Sequence, residues 1–249
     1  FPGDGYRPGR ALASRPAATS FDQFQASNFV LGRLAQLDPG PRLSPQDSLA
    51  KMNSADDLKV ELVLSEPLIA QPTHMSFDAR GRLWVAQYRQ YPYPAGLTVI
   101  GRSPGVEAIF DRVPPAPPHH DRGADIISIH DDTDGDGVLD KHTVFQDGLN
   151  MANSVVRGRG GVWVMHTPYL VFYPDQDFDD VPDGPPVVHL QGFGLEDTHA
   201  VSNGLIWGPD GWLYGGQGST TTSRVTRLGL DGPEVAGVYF DGSMVWRYH

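Results

Sequence analysis

Carboxylates alternate along Asp132-Thr133-Asp134-Gly135-Asp136-Gly137-Val138-Leu139-Asp140, placing oxygen donors at positions 1, 3, 5 and 9 of one run. Gly137 stands at position 6, where a cation-binding loop turns sharply, and the Val138 carbonyl falls at position 7. This spacing wraps a hard cation such as Ca2+ in carboxylate and carbonyl oxygens. A second run repeats the acidic offsets 43 residues later (132 to 175) as Asp175, Asp177, Asp179 and Asp183, with Asp180 in place of the glycine and Pro182 inserted. Position 12 of the first run is Thr143 rather than a bidentate Glu, and strand-forming residues flank it, so a helix–loop–helix calcium hand is excluded. A structural staple is the expected role. The alternative is a solvated acidic hairpin, because Asp and Gly both favour turns.

A different chemistry is concentrated further on. Gly192-Phe193-Gly194-Leu195-Glu196-Asp197-Thr198-His199 runs into Asn203-Gly204-Leu205-Ile206-Trp207, so a histidine and two acids precede a strand pattern. An imidazole titrates near neutrality, and His199 is therefore a candidate base for a hydroxyl proton. Asp197 or Glu196 would orient the ring and stabilise its charged form. The competing reading is a structural histidine bonded to a neighbouring element. His119 and His120 form a further candidate pair, although loop histidines are more often solvated.

The elements that must position these residues are short and β-forming. Glycine (29) and proline (22) are abundant, which favours turns and strands over long helices. Three units share a glycine followed by aromatic and aliphatic residues after a turn signal: Gly81-Arg82-Leu83-Trp84-Val85, Gly161-Val162-Trp163-Val164 and Gly211-Trp212-Leu213-Tyr214. Strands are expected on both sides of each acidic run, at 126–129 and 143–145, then at 170–173 and 187–190. Alternation of Leu58, Val60, Leu62 and Leu64 predicts another. A unit of roughly 40–50 residues built from several strands is the spacing of propeller blades. The fold expected is all-β, a partial β-propeller of about three blades over 44–249 that ends at Met244–Tyr248. A lead-in over 1–43 is extended, with an amphipathic helix at Phe21–Leu37. A short helix follows, capped by Ser44 with Pro45 at N1 and Asp47 at N3. The Pro-rich stretch Arg102–Arg122 reads as a surface insertion.

The net charge of −11 argues against nucleic acid or an anionic membrane as partner. No apolar run is long enough to span a bilayer. The absence of cysteine excludes disulfides, zinc-thiolate sites and thiol catalysis within these 249 residues. Calcium-type loops together with a missing initiator Met favour an exported protein, periplasmic or at the cell surface.

Taken in order, Leu43–Met52, Val60–Pro67, Phe77–Val85, Asp131–Gly137, Gly192–His199 and Trp207–Gly215 resemble the membrane-bound dehydrogenase domain of large exported planctomycete-type proteins. That domain is distantly similar to the soluble PQQ-dependent glucose and sorbosone dehydrogenases. The resemblance covers about residues 43–249. It implies a six-bladed propeller, PQQ as cofactor, oxidation of a sugar or alcohol, and His199 as the base. It also implies a haem-binding cytochrome domain or subunit as partner. The remaining blades would come from a longer chain or another subunit, and the cationic residues that grip the quinone would lie in those blades. The reading set against it is a non-catalytic propeller serving as scaffold, accessory subunit or polysaccharide-binding module. Its contact surface would be the aromatics Tyr88, Tyr91 and Tyr93.

Overall fold

Each glycine-led run becomes the second strand of an antiparallel sheet in the computed structural model, which describes residues 42–102 and 108–249. Among the described residues strand accounts for 40% and helix for 3%, so the described part is nearly all β. The chain divides into two compact units, Phe1–Val60 and Glu61–His249.

Within the first unit the described element is helix α1 (Pro45–Ala50). Its start follows the expected chemistry: the Asp47 amide donates to Ser44 Oγ at 3.0 Å, and Pro45 occupies the first turn, where no amide hydrogen is needed. The helix expected at Phe21–Leu37 and the extended lead-in lie outside the described residues.

The strand expected over 58–64 does not form. Leu58, Val60 and Leu62 are exposed, and no described strand builds a ladder with this segment. Alternation states only that two faces would differ. A strand also needs a partner whose amides and carbonyls complete its own.

The second unit contains three main sheets. The first takes β1 (Pro72–Phe77), β2 (Leu83–Gln87), β5 (Asp125–Asp131) and β6 (Lys141–Leu149), in that order. Between β2 and β5 a small hairpin, β3 (Val99–Arg102) with β4 (Ala108–Phe110), straddles the start of the insertion expected at Arg102–Arg122. The second sheet is a simple meander of β7 (Ala152–Arg157), β8 (Gly161–His166), β9 (Tyr169–Pro174) and β10 (Val187–Gln191). The third pairs β11 (Asn203–Trp207), β12 (Leu213–Gln217) and β15 (Met244–Tyr248), with the hairpin β13 (Thr222–Val225) and β14 (Val238–Asp241) interposed in sequence. No sheet closes on itself.

The second strands are glycine-, aromatic- and Val-rich because they lie in mid-sheet with both faces covered. Every residue of β2 and β8 is buried. Gly161 is required there, since a Cβ would stand 2.3 Å from the Tyr173 carbonyl oxygen. One apolar cluster joins the first and second sheets through Trp84, Ile127, Ile129 and Phe145 against Val155, Val164, Val171 and Tyr173. Another joins the second and third through Trp163, Met165 and Leu170 against Leu205 and Leu213, with Trp246 at its margin.

The first strands lie side by side, β1 against β7 and β7 against β11. Their side chains satisfy one another's backbones. Thr73 Oγ1 donates to the Asn153 carbonyl and Ser76 Oγ to that of Val155, both at 3.0 Å. The Leu205 amide donates to Ser154 Oγ at 2.8 Å, and Trp207 Nε1 to the Arg157 carbonyl at 2.9 Å. Buried backbone groups at the sheet junctions are thereby paired rather than left to cost free energy. Among the described residues, no helix is long and apolar enough to cross a membrane.

Candidate functional site

A cavity of about 570 Å³ opens where the three first strands begin, lined by Thr73 of β1, Asn153 of β7 and Asn203 of β11. Gln71, Pro72, Tyr88, Tyr91, Thr198, His199 and Val201 complete the wall. Thr73, Asn153 and Asn203 each stand eight residues before the glycine of their unit, Gly81, Gly161 and Gly211. The repeat therefore carries one polar side chain per sheet to a common place.

Asn153 is buried. Its Nδ2 donates to the Ser202 carbonyl at 3.1 Å, while its Oδ1 has no partner. That amide oxygen is covered by protein, so a ligand hydroxyl reaches it only if the wall shifts; leaving it bare costs about 1–3 kcal/mol. Among the described residues, no Lys, Arg, Asp or Glu lines the cavity. Amides, hydroxyls, an imidazole and two tyrosines suit an uncharged, hydroxyl-rich ligand.

His199 stands at the cavity edge with its side chain 73% exposed. The loop before it is tied down from several sides. The Thr222 amide donates to Glu196 Oε1 at 2.5 Å, Thr198 Oγ1 donates to the Pro92 carbonyl at 2.8 Å, and Leu195 and Val201 pack with Tyr88 and Met151. Asp197 Oδ1 accepts from the His199 amide at 3.0 Å and faces His199 Nδ1 at 3.2 Å. Its Oδ2 accepts a short hydrogen bond from Thr220. Burial pushes the Asp197 carboxyl up, but the bonds from Thr220 and His199 outweigh it and hold the group below its ordinary value. On the far side of the ring, the Tyr91 hydroxyl meets His199 Nε2 in a short contact. Thr220, Asp197, His199 and Tyr91 thus form one hydrogen-bonded chain.

Of the three residues expected to act together, Asp197 and His199 do. The Glu196 carboxylate is spent on the Thr222 amide and faces a neighbouring cavity of about 220 Å³ with Arg102 and Tyr93. Tyr88 is buried rather than exposed, which corrects its place on a contact surface; its ring is covered by Met151, Leu195 and Val201, and its hydroxyl donates to the Thr198 carbonyl at 3.3 Å. Burial raises its phenol pKa. Tyr93 is exposed and Tyr91 partly so. His120 faces the Gly148 carbonyl and meets His166, a buried histidine not singled out from the sequence, edge to face, while His119 is exposed.

Both acidic runs are hairpin loops, β5 to β6 and β9 to β10, and they share one conformation. Positions 4 and 6 have positive φ in each: Gly135 (79°) and Gly137 (89°) in the first, Phe178 (64°) and Asp180 (70°) in the second. Matching amide-to-carboxylate bonds recur, Val138 to Asp136 and Val181 to Asp179 at 2.8 Å, with Thr133 to Asp140 and Gln176 to Asp183 at 3.0 and 2.6 Å. Asp132, Asp134 and Asp136 converge closely enough to hold one ion, as do Asp175, Asp177 and Asp179. The first loop satisfies itself: Asp132 accepts from Gly135 and Gly137, and the Gly137 amide leads the donors that hold its pKa down. In the second, Asp180 forms a two-pronged pair with Arg82 at 2.5 and 2.8 Å, which secures the left-handed backbone of a residue that is not glycine.

Fold and site together define an all-β protein of repeated antiparallel sheets with a neutral polar cavity at the ends of their first strands. The chain belongs to the family described as Domain of unknown function (DUF7133), which matches residues 44–237. Neither a curated protein nor a solved structure matches it.

The PQQ that the resemblance implies is a planar quinone with three carboxylates. The lining of this cavity offers no cation to any of them, and the Arg102 of the adjoining cavity stands beside Glu196 and Asp197. The described lining alone therefore does not fit that group; the resemblance places the gripping cations in other blades.

Proposed function

We propose that the three sheets are successive blades of a β-propeller, that β1, β7 and β11 are its innermost strands, and that the cavity at their ends binds a sugar or alcohol. The observation carrying this reading is the uncharged wall of amides and hydroxyls to which equivalent residues of three repeats contribute, Thr73, Asn153 and Asn203. Tyr91 supplies an aromatic face of the kind that packs on a sugar ring.

His199 is the residue placed to act on a bound hydroxyl. Asp197 on the Nδ1 side favours the tautomer whose Nε2 is free to accept, and it stabilises the imidazolium that results. A ligand hydroxyl that takes the place of Tyr91 delivers its proton to Nε2. Oxidation also requires a two-electron acceptor for the hydride, and no described residue supplies one. The part of a dehydrogenase reaction supported here is binding and deprotonation, in an exported protein stabilised by calcium. A partner cytochrome belongs to this reading through the resemblance alone.

A second reading is favoured by one contact. Tyr91 already caps His199 Nε2, as expected of a non-catalytic propeller that binds polysaccharide or a partner. An anaerobic dye-reduction screen on sugars and alcohols, with calcium and with or without added quinone, separates the two. The dehydrogenase reading predicts turnover that falls about 100-fold or more in His199→Ala, within the usual range for loss of a general base. Sugar binding without turnover under any condition establishes the second reading instead.

A further inference from the structure

The two acidic loops share their backbone, yet their first carboxylates have opposite fates. Asp132 has both oxygens engaged by amides of its own loop, Oδ1 by Gly135 at 2.7 Å and Oδ2 by Gly137 at 2.8 Å. Asp175 is wholly buried, and Oδ2 is paired with Arg157 Nη1 at 2.6 Å. Its other oxygen, Oδ1, has no partner. A buried carboxylate oxygen without a donor is costly, and one beside two further carboxylates is more so. Asp175, Asp177 and Asp179 nevertheless bring ligand oxygens within 4.8 Å of one another.

The neighbouring cations do not relieve this. Arg82 is committed to Asp78 and Asp180, and Arg157 reaches one carboxylate oxygen of Asp175, its other arm donating to the Asp175 backbone carbonyl at 3.3 Å. Arg157 is further fixed beneath the Phe178 ring, 4.4 Å from its centroid. With Asp78 counted, six carboxylates (Asp78, Asp175, Asp177, Asp179, Asp180 and Asp183) gather around three guanidiniums, those of Arg82, Arg157 and Arg80, the last 5.8 Å from the Phe178 ring centroid. Negative charge is in excess, and the ligand atoms that converge are all oxygen.

We infer that the Asp175–Asp183 loop, and not the better-spaced Asp132–Asp140 loop, is a Ca2+ site, with Asp175 Oδ1, Asp177 and Asp179 as its carboxylate ligands. The Val181 carbonyl and Asp183 occupy positions 7 and 9, where such loops provide further oxygens. A hard, oxygen-only, partly exposed set selects calcium over magnesium, whose octahedral shell is stricter and keeps its waters. Because Arg157 ends β7 and Arg82 precedes β2, the ion completes a charge cluster that joins the first sheet to the second. The loss of glycine at position 6 is consistent with this: that position supplies no ligand, and Asp180 there ties the loop to Arg82.

The test is calorimetric titration of the EDTA-treated, dialysed chain with calcium chloride, alongside thermal unfolding with and without calcium. The wild-type chain is expected to bind one calcium with a Kd on the order of 0.1–1 mM, the range of extracellular modules, and magnesium more weakly. Asp177→Asn with Asp179→Asn keeps the loop's amide-accepting oxygens and exposed positions, so it tests ligation without emptying the buried pair. That variant should bind at least tenfold more weakly and lose the calcium-dependent rise in Tm. Asp134→Asn with Asp136→Asn should retain both. No calcium uptake by the wild type at millimolar concentration overturns the inference. So does full binding in the first variant, or an equal loss in the second.

Discussion

Asp197 bridges two partners that pull on it from opposite sides, Thr220 at one oxygen and His199 at the other. Removing one should be visible in the carboxylate itself. Thr220→Val is expected to raise the Asp197 pKa toward the ordinary carboxylate value, read by carboxyl-carbon NMR titration; an unchanged pKa contradicts the assigned balance. Arg82 is a sharper case, buried between Asp78 and Asp180 with a pKa raised chiefly by the Asp180 hydrogen bond. Arg82→Met leaves two carboxylates without their cation and should cost about 3–5 kcal/mol in urea unfolding, the usual penalty for breaking a buried pair. At this scale the sequence was partly legible. Asp197 and His199 were recognisable from residue type, because acid beside histidine is a chemical signal. Thr73 and Asn153 were missed, although their shared offset from the unit glycines was the available signal; Asn203 was noticed only as part of the His199 segment, and Tyr91 only as a contact-surface aromatic, since its contact with His199 crosses 108 residues.

The sheets show which patterns determine an element and which do not. The runs at 83–85, 161–164 and 213–214 became strands because mid-sheet burial demands apolar and aromatic side chains on both faces. The segment 58–64 has the alternation of a strand without a ladder partner among the described residues, so its pattern did not suffice. Hairpins β3–β4 and β13–β14 were missed because strands of three or four residues leave too short a period to detect. The role of Gly161 belongs to this scale as well. Gly161→Ala drives a Cβ against the Tyr173 carbonyl and the Phe172 ring, and should destabilise the second sheet by about 1–3 kcal/mol, the range for overpacking. Equal urea midpoints for variant and wild type would contradict that packing.

For the molecule as a whole, buried titratable groups set the response to acid. Burial lowers His166 to about 3 and His130 to about 4, while burial raises Asp125 to about 6. The histidines are neutral in the fold but take up protons on unfolding, so each removes stability as pH falls from about 6.5 toward its folded value. Asp125 works the other way. Its folded pKa lies above its unfolded one, so its share is present at low pH and lost as pH rises from about 4 to 6. The two histidines outweigh the single carboxyl, and unfolding free energy should fall from pH 6 to pH 4. A His166→Gln variant should flatten that slope by up to about 1.4 kcal/mol per pH unit. Equal slopes for variant and wild type would remove His166 from this account.

The three sheets, their adjoining first strands and their repeated polar positions converge on one claim, that the cavity beside His199 holds a neutral polyhydroxylated ligand. Saturation-transfer difference NMR with a panel of uncharged sugars and polyols, on wild type and on Asn203→Leu, tests it most directly. Transfer to ring protons of at least one sugar, lost in Asn203→Leu at unchanged Tm, is the predicted result. No transfer to any member of the panel, or transfer that survives Asn203→Leu in full, would contradict it.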